Sequence, residues 1–224
     1  MPIIYLLRHA QSVANTKGIL AGQDDSVELS KEGFKQAKAL APYLSSIKFA
    51  KIYSSPLTRC LQTIAPFMQS NQKIDFQISQ ELIEMDYGVW SGKRLSVLSK
   101  DRKWRIVQQK PSTFTFPEGE SFRQMRKRVD NLILRLSKEK GPILLVTHGD
   151  IIKMILASSL SLPIDRFQSF VAEPASISTI NIEKNSATVL QSNYKINHSV
   201  IKSFTGNQLG GGNSLANVAK WWRA

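Results

Sequence analysis

The stretch IIYLLRHAQSVAN, residues 3–15, sets five apolar or aromatic side chains in a row, then Arg8-His9, then a polar turn ending in Asn15. A short apolar run bounded by polar residues is the pattern of a strand buried on both faces, which arises where helices cover both sides of a parallel sheet. The chain has only three histidines, and one of them follows this strand directly, beside an arginine.

The pattern repeats downstream. Apolar, β-branched stretches at 51–53, 76–78, 142–147, 175–182 and 187–191 are the remaining expected strands. Helical periodicity fills the gaps between the earlier ones. Phe34, Ala37, Ala41 and Leu44 share one face, as do Leu57, Leu61, Ile64 and Met68, and Phe122, Met125, Val129, Leu132, Ile133 and Leu136 form the clearest set. Strands alternating with helices and closing on a hairpin imply an α/β fold, a three-layer α/β/α sandwich with a mostly parallel central sheet. Ser55-Pro56 has the chemistry of an N-cap followed by the first helical residue, and Ser121 with Gln124 that of a capping box. Pro42 and Pro66 fall inside helical patterns and predict kinks or early stops.

With 224 residues, 42% of them hydrophobic, the chain can bury one large core. A single domain over 1–205 is expected, followed by a glycine-rich tail, 206–224, that carries Trp221-Trp222. The lone cysteine, Cys60, cannot pair within the chain, which fits a reducing compartment, and no Cys/His cluster has zinc-site spacing. No stretch approaches the ~18 apolar residues of a membrane span, and the first apolar run is too short for a signal peptide. A cytoplasmic protein with no metal and no transmembrane segment is therefore expected.

The formal charge is +13, and residues 91–140 hold 14 Lys and Arg against 5 Asp and Glu, so this segment supplies 14 − 5 = +9 of it. Such a balance favours anionic partners: phosphorylated small molecules, nucleic acid or a membrane surface.

Ligands of open parallel sheets bind beyond the carboxyl ends of the strands. Arg8-His9 follows the first strand, and Arg59 sits on the helix turn after the second. Glu84 follows the third strand, and His148 the fourth. Taken singly, each has an ordinary structural explanation. Together, converging arginines and helix N–H groups leave positive charge uncompensated unless an anion arrives, and phosphate matches their geometry.

The strings LLRHAQSVAN, SSPLTRCLQT, ELIEMDYGVWSG, PEGES and LLVTHGD, in this order from residue 6 to 150, resemble the signature motifs of the histidine phosphatase superfamily, the phosphoglycerate-mutase-like group. The resemblance implies a phosphoglycerate-mutase-like fold and a single histidine-phosphatase-like catalytic domain. It implies His9 as nucleophile and Glu84 as proton donor. Arg8, Asn15, Arg59 and His148 would form the phosphate pocket, with Gln23 on a substrate-side loop. Two residues depart from the family pattern, Ala10 where glycine is usual and Gln11 where glutamate is frequent.

The chemistry this implies is metal-independent hydrolysis of small phosphorylated metabolites through a phosphohistidine, with no cofactor. Arg8 and Arg59 disfavour a charged His9 ring, a backbone carbonyl is expected to fix its tautomer, and the anionic substrate together with Tyr87 and Trp90 is expected to raise the Glu84 pKa by repulsion and desolvation. The same residues would serve a cofactor-dependent phosphoglycerate mutase. However, only 27 positions separate Gly92 from Gly119 (119 − 92), too few for the segment that closes over a bisphosphate in such mutases. The basic run at 93–110 is expected near the mouth of the site, where it would steer anions. A nucleic-acid or membrane-surface binder on an enzyme scaffold is the third reading, resting on net charge, Trp104 and Trp221-Trp222, and it ranks below both enzymes. The natural substrate and the oligomeric state stay open.

Overall fold

The computed structural model describes residues 2–183 and 186–196. The expected tail at 206–224, its tryptophans and His198 lie outside the described residues. Six strands form one sheet: β1 (Ile3–Arg8), β2 (Lys51–Ser54), β3 (Asp75–Ile78), β4 (Ile143–Thr147), β5 (Ile177–Ile182) and β6 (Ala187–Tyr194). Their spatial order is β3-β2-β4-β1-β5-β6. The first four run parallel, while β5 and β6 form an antiparallel hairpin appended at β1. This is the mostly parallel sheet expected from the alternation of strands and helices.

Each central strand is apolar on both sides because both sides are covered. Ile143 and Leu145 of β4 join Ile4 and Leu6 of β1 in the core beneath helices α6 (Phe122–Leu136) and α7 (Gly149–Ser159). Leu144, Val146 and Leu7 point the other way, into the core beneath α2 (Lys31–Ser45) and α3 (Thr58–Met68). The result is three layers. Helix α6 buries Phe122, Met125, Val129, Leu132 and Leu136, as its periodicity predicts, and starts on the Ser121–Gln124 capping box.

Several local expectations are corrected. The buried face of α2 is Gly33, Ala37, Leu40 and Leu44, so Phe34 is left exposed and Ala41 only half-buried. In α3 the buried face is Arg59, Cys60, Thr63, Ile64 and Phe67, which leaves Leu61 and Met68 half-buried. That helix begins at Thr58, not at Pro56, and Leu57 caps it without a side-chain bond. Asp25 from another loop accepts the Thr58 N–H at 2.6 Å instead, satisfying one of the donors a helix start leaves open. Pro42 and Pro66 lie within α2 and α3, which each end within a turn after the proline. Near a helix end proline removes few bonds.

The basic run at 93–110 forms two short helices, α4 (Leu95–Leu98) and α5 (Arg102–Gln109). Trp104 is not on their surface. It is buried and stacked on Trp90 at 6.2 Å, within an aromatic cluster that includes Phe114 and Phe116. The same cluster backs the loop that carries Glu84. Gly88, at φ +50°, lies so close to the 117–119 turn that a Cβ would stand 1.9 Å from the Pro117 carbonyl oxygen.

Candidate active site

In the parallel pairing of β1 with β4, Arg8 stands opposite Thr147, and the His9 N–H donates to the Thr147 carbonyl at 2.9 Å. Residues 9 and 148 therefore leave the sheet side by side. Their imidazole centroids lie 5.2 Å apart.

His9 is buried, and its Nδ1 lies 2.8 Å from the Ala10 carbonyl oxygen. A carbonyl only accepts, so Nδ1 carries the proton and Nε2 keeps its lone pair, the tautomer expected from the sequence. Burial holds the ring pKa well below the usual value, reinforced by the Arg59 and Arg8 charges. Ala10 is itself fully buried against Leu29 and Ala37, and its N–H donates to Thr63 Oγ1 at 2.9 Å. Its φ is not positive, so a methyl group fits where the family usually has glycine. Gln11 ties down the start of α2, with its N–H on Gln36 Oε1 and its Oε1 accepting from Ser30 Oγ.

Arg59 is 1% exposed, in the first turn of α3. Nη1 donates to the Asp24 carbonyl at 3.0 Å and Nη2 to the Gly22 carbonyl at 2.7 Å. Two of its five N–H groups are thereby spent on aiming the fork. Arg8 Nη1 donates to the Ala172 carbonyl at 2.6 Å. His148, at the N-cap of α7, is held by Ser55 Oγ at 2.7 Å from Nε2, which explains why Ser55 is not a helix cap. Burial again keeps its ring well below the ordinary histidine range, followed by Arg59 and the neighbouring His9.

Glu84 lies between two 3-10 turns, Gln80–Leu82 and Gly88–Trp90, and is 5% exposed. Its Oε1 accepts from the Met85 N–H at 3.0 Å. Burial raises its pKa first and the Asp150 charge second, against smaller lowering by the Met85 N–H, Arg59 and Arg8, and the group is pushed up to about 7. Desolvation is one of the causes expected from the sequence, whereas Asp150 is a contributor that the sequence reading did not single out. Tyr87 donates its hydroxyl to Asp150 Oδ2 at 2.8 Å, and Trp90 belongs to the aromatic cluster.

Two candidates stand differently from the rest. Asn15 is the third residue of the capping box of helix α1 (Val13–Lys17). Its Oδ1 is occupied by the Ser12 N–H, which leaves its Nδ2 hydrogens for a ligand. Gln23 sits in the loop that grips Arg59, with Nε2 donating to the Glu84 carbonyl at 2.9 Å.

Sequence reasoning missed Asp150 and Lys153, both fully buried in α7, with Lys153 Nζ 3.6 Å from Asp150 Oδ1 and 2.9 Å from Gln168 Oε1. Carboxylate and lysine at this spacing on the helix after THG were a readable signal. It also missed Arg128, whose guanidinium pairs with Glu120 and reaches the loop of Glu84. Among the described residues no helix is long and apolar enough to cross a membrane.

Known proteins share both sequence and architecture with this chain. The family model for the histidine phosphatase superfamily (branch 1) matches residues 4–195. Phosphoserine phosphatase 1 of Hydrogenobacter thermophilus is 30% identical over 194 residues, covering 85% of this chain and 91% of its own. Fructose-2,6-bisphosphatase TIGAR of Xenopus tropicalis is 36% identical over 126 residues, 55% of this chain and 45% of its own. Among solved structures, a putative alpha-ribazole-5'-P phosphatase of Escherichia coli superposes with a TM-score of 0.77 at 26% identity, over 86% of this chain and 96% of the other. With its RH and THG ends paired on adjacent strands, the chain belongs to the histidine phosphatase superfamily.

Proposed function

We propose that the protein is a metal-independent phosphomonoesterase acting on small phosphorylated metabolites, with His9 as nucleophile and Glu84 as proton donor. The observation that carries this reading is the 2.8 Å contact of His9 Nδ1 with the Ala10 carbonyl, which leaves a neutral ring with its Nε2 lone pair available near Arg8 and Arg59. In the first step the Nε2–P bond forms as the P–O bond to the alcohol breaks. The departing electron pair settles on the alkoxide oxygen, which takes a proton from Glu84. In the second step water attacks phosphorus and yields its proton to the Glu84 carboxylate, and the N–P pair returns to Nε2. One carboxyl serves as acid and then base, which a group poised at about 7 does at neutral pH. Arg8, Arg59 and His148, with the Asn15 amide, hold the equatorial oxygens, and the two arginines supply the charge neutralisation.

Support for hydrolysis over mutase chemistry comes from the segment between Gly92 and Gly119. It folds down onto the core through Trp104, Phe114 and Phe116. The same burial of Trp104 removes one support for a binder of nucleic acid or membranes. We also place the enzyme in the cytoplasm, on the strength of its single buried thiol. The test is a panel of phosphomonoesters assayed with and without chelator, using His9→Ala as the blank. Chelator-insensitive phosphate release from several alkyl phosphates is expected. Isomerisation of phosphoglycerate that depends on bisphosphoglycerate, without net phosphate release, would overturn the reading.

A further inference from the structure

We infer that Gln23 and Arg128 are positioning residues that hold the peptide carbonyl of Glu84 from two sides and so fix where its carboxyl delivers a proton. This rests on the reading of Glu84 as the proton donor. The segment around Glu84 is irregular, so neither a helix nor a sheet ladder satisfies its backbone groups. Two side chains satisfy this carbonyl instead. Gln23 Nε2 donates to it at 2.9 Å and Arg128 Nη2 at 3.3 Å.

Both donors are themselves anchored. The Arg128 guanidinium makes a bidentate pair with Glu120, Nη2 to Oε1 at 2.6 Å and Nε to Oε2 at 3.2 Å, while Nη1 donates to the Glu81 carbonyl at 2.8 Å. Glu120 Oε1 also accepts the Asp86 N–H at 3.1 Å. The pair thus spans the loop from 81 to 86 around its acid. A planar fork fixes such a geometry in a way an ammonium does not. On the other side, Gln23 lies between Gly22 and Asp24, whose carbonyls aim Arg59. One tripeptide therefore braces both the phosphate-gripping arginine and the backbone of the acid. A sub-ångström error in placing an acid is costly only for leaving groups that need a proton.

The test uses the full-length protein, 4-nitrophenyl phosphate, and the alkyl phosphate of the panel with the highest turnover, in single-turnover phosphorylation of His9. Arg128→Met and Gln23→Met are each expected to slow phosphorylation by the alkyl ester about tenfold, with the nitrophenyl ester affected less than about twofold. Arg128→Lys is expected to recover part of the loss. Gln23→Met alters an exposed-side loop contact rather than the core, so it stands as a test even if Arg128→Met does not fold. Selective loss in either variant sustains that residue's role, and equal losses on both esters overturn it. Glu84→Gln, run in parallel, separates the two ideas. Selectivity there, with none in the two variants, removes the positioning role alone. No selectivity in Glu84→Gln removes the donor reading and this inference with it.

Discussion

The imidazole rings of His9 and His148 lie 5.2 Å apart and tilted by 59°, held there by the backbone bond from His9 to Thr147. Two buried histidines thus stand beside two buried arginines, with the carboxyls of Glu84 and Asp150 close enough to act on the Arg8 charge. In the proposed reaction the guanidinium forks are the groups that match a phosphate.

His9→Ala removes the only group positioned to accept phosphorus in this reading. Turnover is expected to fall by at least about a thousandfold. Wild-type protein quenched during turnover should carry acid-labile phosphate on residue 9, detectable by mass spectrometry under alkaline handling. Phosphate on another residue would refute the assignment.

The raised Glu84 pKa sets a pH limit. For an alkyl phosphate, phosphorylation of His9 should decline as pH rises through about 7, because the acid form is then lost. Asp150 raises that pKa, so Asp150→Asn should move the decline to lower pH, while the nitrophenyl ester responds less. Stopped-flow or quench measurements between pH 5 and 9 would read both.

Burying Glu84 also costs stability when it is charged. A carboxyl whose folded pKa exceeds its unfolded one binds more protons when folded. Its contribution is complete below the unfolded pKa and is lost as pH rises from 4.5 through about 7. Glu84→Gln should therefore gain stability relative to wild type between pH 5 and pH 8, by on the order of 3 kcal/mol at most. Urea denaturation at the two pH values measures the difference.

Thr63 supports the nucleophile from beneath. Its Oγ1 accepts the Ala10 N–H and donates to the Arg59 carbonyl at 2.6 Å, linking the backbones of the histidine and arginine segments. Thr63→Val keeps the shape but leaves a buried N–H unsatisfied, with an expected loss of about 1–3 kcal/mol. Thermal or urea unfolding checks it, and a neutral result would mean the loop re-satisfies itself.

Most of the sheet was legible because strands buried on both faces are continuous apolar runs, and the candidate site because ligands of open parallel sheets bind beyond the strand ends. Arg8, His9 and His148 follow from that rule, whereas Arg59 lies in the helix after β2 and Glu84 in the loop after β3, a mostly exposed strand. The α2 and α3 faces were misjudged by one position, since a helix carrying apolar residues such as Phe34, Leu40 and Ala41 offers two overlapping stripes. Only packing against the sheet chooses Leu40 over Phe34. The α3 start was misread because its cap comes from Asp25, far off in sequence. Gln23 was named only as part of a substrate-side loop and Arg128 not at all, because a contact to a backbone carbonyl leaves no mark in side-chain pattern.

The strand order carries a consequence for how the protein folds. Strand β4 enters late in the chain yet lies between β1 and β2, which have no sheet partner in common until it arrives. The two histidines can meet only after that insertion, a long-range closure of the kind that slows folding. During refolding, helical signal should return first, and enzymatic competence should report the moment the central strand slots into place.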